Sequence, residues 1–338
     1  MHDRRSGSAE GHKAAPSRRS VIAGLAATPV LAVEGGAQGA FPDKPLRIIV
    51  AYGAGTGTDA TARKLAHELQ GVLGQPVIVE NRPGGAAFIG TEAAARSAPD
   101  GYTMLMATDH IMCFNPALFS KLPYDPKKDF ASVAGVVMAP YLLAVNADLP
   151  ARSLAELVTL AKSKPGSLSF ASTGVGTSSQ LIGELFQAET GIKLTHVPYQ
   201  SAAPLFSDLL SGTVSMCFYP YQQFQPHIQA GRLRILALAT DQRWTILPDV
   251  PTFKELGLPK MTMGAFLSIV VPAGTPRDRI EKLTSAIKTV LARPEIAEPF
   301  AAVGFPTAYM TPEQLTAFTA SELDRCKEIA TLAGVKLD

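Results

Sequence analysis

Two short loops hold the densest recognition chemistry in this chain: Ala51-Tyr52-Gly53-Ala54-Gly55-Thr56-Gly57-Thr58-Asp59 and Ala171-Ser172-Thr173-Gly174-Val175-Gly176-Thr177-Ser178-Ser179. Each follows an apolar, strand-like run and opens a helical pattern. That position puts free backbone N–H groups at the positive end of a helix, which holds an anion without a cationic side chain. Thr56, Thr58, Ser172, Thr173, Thr177 and Ser178 can donate to carboxylate oxygens, and the glycines, Gly53, Gly55 and Gly176 among them, let a ligand approach the backbone. Two such loops predict a cleft that grips a small carboxylate from both sides. Asp59 reads as a residue that shapes its helix start rather than as a base.

Catalytic chemistry is thinner. Gly53-Ala54-Gly55 with Glu80 beyond it is a weak match to a dinucleotide-binding loop, because Thr58 fills the third glycine position and the acid runs straight into Asn81-Arg82-Pro83-Gly84-Gly85. His67, His110, His196 and His227 show no metal-ligand spacing. Ser172, Ser178 and Ser179 have no base evident in sequence, and no nucleophile-elbow motif occurs. These absences predict a non-enzyme with no catalytic residues, cofactor or metal. An NAD-linked or hydrolytic α/β enzyme is the alternative from another class. A cluster of Phe218, Tyr219, Tyr221 and Phe224 follows a strand and reads equally as a ligand wall or as packing.

The elements that must position these loops alternate along the chain. Leu46 to Ala51 is a buried-strand run, and Ala62, Leu65, Ala66, Leu69, Val72 and Leu73 recur at helical spacing after it. Strands follow at 77–80 and 103–107, then two apolar stretches between Asp129 and Asn146, broken by Pro140. A second series opens with a helix at 154–161, a strand at 168–171 and the helix face Leu181, Ile182, Leu185 and Phe186. Further strands fall at 195–199, 214–218, 234–239 and 266–271, and two long helices close the chain. Repeated βαβ units predict parallel sheets with helices on both faces, and ligands beyond the carboxyl ends of the strands. The expected class is α/β, with residues 41–140 as the first part of domain I, 141–238 as domain II, and 239–338 returning to domain I. Crossings are expected near Pro140 and Leu238.

The chain has 338 residues, 46% of them apolar, and a net charge of +2. Neither figure suggests a nucleic-acid partner. Three widely spaced cysteines exclude a disulfide framework. Residues 1–40 read as an export signal. Arg4, Arg5, Lys13, Arg18 and Arg19 precede the apolar run Val21 to Val33, and Ala37 to Ala40 offer small residues for cleavage near Ala40. Arg18-Arg19 also suits a twin-arginine signal. The expected location is periplasmic.

Several ordered motifs share a pattern. They are Phe41-Pro42-Asp43-Lys44-Pro45, the strand and loop from Ile48 to Asp59, Glu80 to Gly85, Ala98-Pro99-Asp100-Gly101-Tyr102, Leu122-Pro123-Tyr124-Asp125, His196-Val197-Pro198-Tyr199 and Leu247 to Thr252. From Phe41 onward the chain resembles the Bug-type extracytoplasmic solute receptors of tripartite tricarboxylate transporters. The resemblance implies a two-domain periplasmic-binding-protein type II fold that closes on a small organic carboxylate between its domains. It also implies a membrane permease as partner and a monomeric receptor; a receptor feeding a sensor is the alternative within the class. It places Tyr52, Gly53, Gly55, Thr56, Thr58 and Asp59 of the first loop, and Ser172, Thr173, Gly176, Thr177 and Ser178 of the second, at the ligand. Thr108 and Asp109 face the same cleft. Phe88, Tyr219, Ala51, Thr56 and Gln180 depart from the residues common in the family. Phe88 and Tyr219 exchange polar groups for aromatic ones, so an aromatic or long-chain monocarboxylate is expected to outcompete citrate, glutamate and succinate.

Overall fold

A computed structural model describes residues 41–302 and 304–337. The export signal assigned to residues 1–40 lies outside the described residues. Ten strands occur among the described residues: β1 (Leu46–Val50), β2 (Val77–Asn81), β3 (Thr103–Thr108), β4 (Phe130–Asn146), β5 (Ser169–Ser172), β6 (Thr195–Pro198), β7 (Met216–Pro220), β8 (Leu233–Leu238), β9 (Gly264–Pro272) and β10 (Thr307–Met310). They form one hydrogen-bonded succession, β2-β1-β3-β9-β4-β7-β5-β6, with β10 and β8 also on β4.

The βαβ segments give the parallel pairs expected of them. β1 lies parallel between β2 and β3, and β5 lies parallel between β6 and β7. β4, β8, β9 and β10 pair antiparallel, so the sheet is mixed where parallel pairing was expected throughout.

β4 joins the two parallel groups. The two stretches expected on either side of Pro140 are one continuous strand of 17 residues. Proline lacks the N–H that a ladder needs, and here the gap falls where the strand changes partners. Residues up to Pro140 pair with β9, and residues from Tyr141 onward pair with β7. Three backbone bonds gather at this point: Tyr141 N–H to Met263 O (3.3 Å), Met263 N–H to Ala239 O (3.0 Å) and Ala239 N–H to Tyr141 O (2.9 Å).

The helices over the parallel groups bury the faces that periodicity marked. Helix Gly57–Leu73 turns Ala62, Leu65, Ala66, Leu69 and Leu73 inward, and Gly74 ends it in the left-handed conformation. Helix Ser178–Thr190 buries Leu181, Ile182, Leu185 and Phe186 and ends the same way at Gly191. Each fully buried Leu or Ile contributes about 1.5–3 kcal/mol relative to exposure. Helices Phe88–Ala95, Tyr221–Gln229 and Pro294–Ala302, strand β10 and the wide turn His110–Phe114 went unread in the sequence. No described helix is long and apolar enough to cross a membrane.

Candidate functional site

The first loop leaves β1 and enters helix Gly57–Leu73. Thr56 caps the helix by accepting the Asp59 N–H and donates its own hydroxyl to Gly53 O at 2.9 Å. Asp59 folds back beneath the loop: Oδ2 accepts from Gly55 N (2.9 Å) and Arg63 Nε (3.0 Å), and Oδ1 accepts from Asn81 Nδ2 (2.8 Å). Burial alone would raise this carboxyl, but those donors outweigh it and hold the group below the usual carboxylate range. Asp59, Thr56 and the Gly55 N–H are therefore committed to the shape of the loop.

The second loop repeats the plan. Gly176 N–H donates to Gln180 Oε1 at 2.7 Å, and Thr177, at the helix N-cap, gives its hydroxyl to Gly174 O at 2.7 Å. Ser179 Oγ accepts the Thr173 N–H at 3.1 Å. Ser172 is fully buried. Its Oγ accepts the Gly174 N–H and lies 2.7 Å from His196 Nε2, a partner on the neighbouring strand that the sequence did not reveal. Phe170 stacks on that imidazole. The Ser172–His196 pair clasps the loop.

Both loops open onto one cavity of about 270 Å³. Gly57, Thr58 and Tyr52 line it from the first loop, and Thr173, Ser178 and Ser179 from the second. Gly57 and Thr58 belong to the first helical turn, where N–H groups have no carbonyl of their own helix to bond. Thr108, the last residue of β3, and Asp109 after it form the floor, with His110 beside them. Tyr52 and Thr108 join through their hydroxyls at 2.8 Å, and Tyr141 OH donates to Ser178 Oγ at 2.7 Å. Tyr219, Gln222, Gln223 and Phe305 complete the wall. Among the described residues, no lysine or arginine lines the cavity.

Tyr52, Thr58, Thr108, Asp109, Thr173, Ser178 and Tyr219 thus meet at the cavity. Gly53, Gly55, Thr56, Asp59, Ser172, Gly176 and Thr177 do not line it; they build the two loops behind it. Phe88 is elsewhere. It opens helix Phe88–Ala95 and packs edge-on against Phe119 (5.0 Å) and Tyr124 (6.2 Å). That helix lies hard against the loop start, since a Cβ at Gly90 would come within 2.7 Å of Ala51 Cα. Of the aromatic cluster, Tyr219 reaches the cavity, whereas Tyr221 packs on Trp244 and Phe224 on Phe206. Tyr141, His110 and Gln223 were missed as lining residues. Tyr141 is the first residue after Pro140 on β4, the Pro-Tyr break that could have marked it.

Burial sets the titration of the floor. It pushes the Asp109 carboxyl up to about 7, against backbone N–H groups of His110 and Asp109 that pull the other way. Burial also holds the His110 imidazole below its usual range. Asp109 is 7% exposed, and its Oδ2 has no hydrogen-bond partner.

A mixed sheet crossed by one shared strand, with two helix starts facing a single cavity, defines the periplasmic solute-binding class. The chain belongs to the tripartite tricarboxylate transporter family receptors, whose family model matches residues 61–335. It is 36% identical over 298 residues to Protein BugT of Bordetella pertussis, covering 88% of this chain and 91% of that protein. A solved R. palustris protein bound to adipate shares 29% identity at a TM-score of 0.76, covering 88% of this chain and 99% of that one. MatC of Rhodopseudomonas palustris, solved with malate, shares 28% at a TM-score of 0.71, covering 86% and 99%. The family is one of solute receptors rather than enzymes.

Proposed function

We propose that this chain captures a small organic carboxylate between two lobes and delivers it to a tripartite tricarboxylate-type permease. It does so as a periplasmic monomer after its signal is cleaved near Ala40. One observation carries the reading: two loop–helix starts of matching design meet at one cavity that no described lysine or arginine lines. Backbone N–H groups and the hydroxyls of Thr58, Thr173 and Ser178 then hold the carboxylate. A cavity of about 270 Å³ suits a small solute. Adipate and malate in the relatives are carboxylates of that size. Of the aromatic residues behind the expected preference for aromatic acids, Tyr52 and Tyr219 line the cavity, whereas Phe88, Tyr221 and Phe224 pack away from it.

The lobes comprise residues 41–140 with 239–338, and residues 141–238. The backbone knot of Tyr141, Ala239 and Met263 is the hinge between them. Calorimetry of the purified protein against a panel of mono-, di- and tricarboxylates tests the function. Saturable binding without product supports it, and conversion of the bound acid overturns it. Small-angle scattering tests the hinge, with the radius of gyration expected to fall when a bound acid saturates the protein.

A further inference from the structure

Asp109 is the cavity group for which a carboxylate-binding site supplies no partner. It is more than nine-tenths buried, it faces the space between the two loops, and its Oδ2 has no partner. Its Oδ1 lies 4.0 Å from His110 Nδ1, and burial disfavours the charged form of that imidazole. The Tyr52 and Tyr141 phenols face Asp109 from the start of the first loop and from β4, and burial keeps both protonated. Cys113 faces it from the turn that follows, and Glu322 from helix Pro312–Ala333. Burial raises Glu322 as well, and its own cation is Arg325 at 3.3 Å. Among the described residues, nothing around Asp109 therefore supplies a compensating positive charge. Across the cavity, Gln223 Oε1 is also buried without a partner, on an amide that can present either its oxygen or its NH₂ group.

An unpartnered buried carboxylate is costly in the empty protein. A plain di- or tricarboxylate would worsen matters by setting a second anion beside it. A ligand nitrogen that donates hydrogen bonds and carries positive charge would remove the cost, while the two helix starts hold the ligand's carboxylate. Resting on the carboxylate-receptor reading, we infer that Asp109 accepts hydrogen bonds from a positively charged nitrogen of the ligand. The captured acid then carries an ammonium or a protonated ring nitrogen as well as its carboxylate.

Matched pairs of acids that differ in the amino group test this by calorimetry. They are L-glutamate and glutarate, L-aspartate and succinate, 4-aminobutyrate and butyrate, and 4-(aminomethyl)benzoate and 4-methylbenzoate. At pH 8 the amino member of at least one pair should bind at least tenfold tighter than its partner. That advantage should shrink as the pH falls through 7, where Asp109 takes up its proton. Asp109→Asn should erase the affinity ratio within the responding pair, about tenfold on the unaltered protein; should this variant not fold, the pairs on the unaltered protein decide. Binding by nitrogen-free acids alone, or diacid affinity that climbs as the pH falls, overturns this inference and leaves the receptor reading standing. In the second case Asp109 would be a protonated donor to a second carboxylate. No binding by any pair or by any acid of the mono-, di- and tricarboxylate panel overturns both.

Discussion

The two cavity loops solve one backbone problem with different side chains. In each, a glycine in the left-handed region precedes a threonine at the N-cap, and the glycine N–H is held by the side chain four residues on. In the first loop that side chain is Asp59, countered by Arg63, whose side chain is 52% exposed. In the second it is the buried Gln180, which also hydrogen-bonds Glu184. The choice of residue follows the surroundings. A charged brace is tolerated where a solvated cation can reach it, and a neutral one serves where none does. The glycines differ as well. A Cβ at Gly55 would meet nothing within 4 Å, whereas one at Gly176 would come 2.3 Å from Leu337 Cδ1.

The largest expected difference lies at those glycines. Gly55→Ala should cost about 1–2 kcal/mol, for the left-handed backbone alone. Gly176→Ala should cost more, about 2–4 kcal/mol, because the Leu337 side chain must also shift away from the new methyl group. Urea unfolding of both variants checks this, and equal losses would break the distinction.

Exchanging the braces comes next. Gln180→Glu buries a carboxylate beside Glu184, so its folded pKa rises and its penalty grows as the pH rises above the unfolded value. The cost should reach about 2–4 kcal/mol at pH 8 and fade near pH 4. Asp59 behaves with the opposite sign. Its folded pKa is lowered, so its contribution is present above the unfolded value and disappears as the pH falls through the folded one. Stability curves of Asp59→Asn and the unaltered protein should therefore converge in acid, and thermal melts across pH 3–8 would show it.

Asp109 follows the Gln180→Glu pattern already in the natural chain. A carboxyl raised from 3.8 to about 7 destabilises the empty protein increasingly between those values. Asp109→Asn should thus raise the stability of the ligand-free protein by about 2–4 kcal/mol at pH 8, with no gain below about pH 4. A variant that melts lower than the parent at pH 8 would contradict the burial argument. The smallest effects separate shape from contact. Thr177→Ala should lose about 0.5–1.5 kcal/mol of stability with its bond to Gly174, while Thr58→Ala should spare stability and weaken ligand binding by a similar amount.

Much of this plan was legible because it is local. Apolar runs gave β1, β3 and β5, and helical spacing gave the buried faces of both loop helices. The loops themselves stood out as strand–glycine–hydroxyl–helix junctions. Long-range geometry was not legible. Pro140 looked like a break because the partner exchange that absorbs its missing N–H depends on strands far along the chain. Phe88 was expected near the ligand from its departure at a position usually polar in the family, and its contacts with Phe119 and Tyr124 are tertiary. His196 could not be paired with Ser172 before β5 and β6 were known to be neighbours. Asp109 entered the cleft through a family resemblance, and its lack of a partner is visible only once every neighbour is in place.

The cavity's lack of lysine and arginine also bears on speed. Receptors that draw anions in through a field of positive charge lose that attraction as salt screens it, over a Debye length of about 8 Å at physiological ionic strength. Helix-end dipoles act within the first turn and exert little pull at a distance. Capture by this chain should therefore run at an ordinary diffusional rate that changes little with ionic strength. A receptor built this way gives up fast attraction for a capture rate that holds steady when the surrounding medium turns saline or dilute.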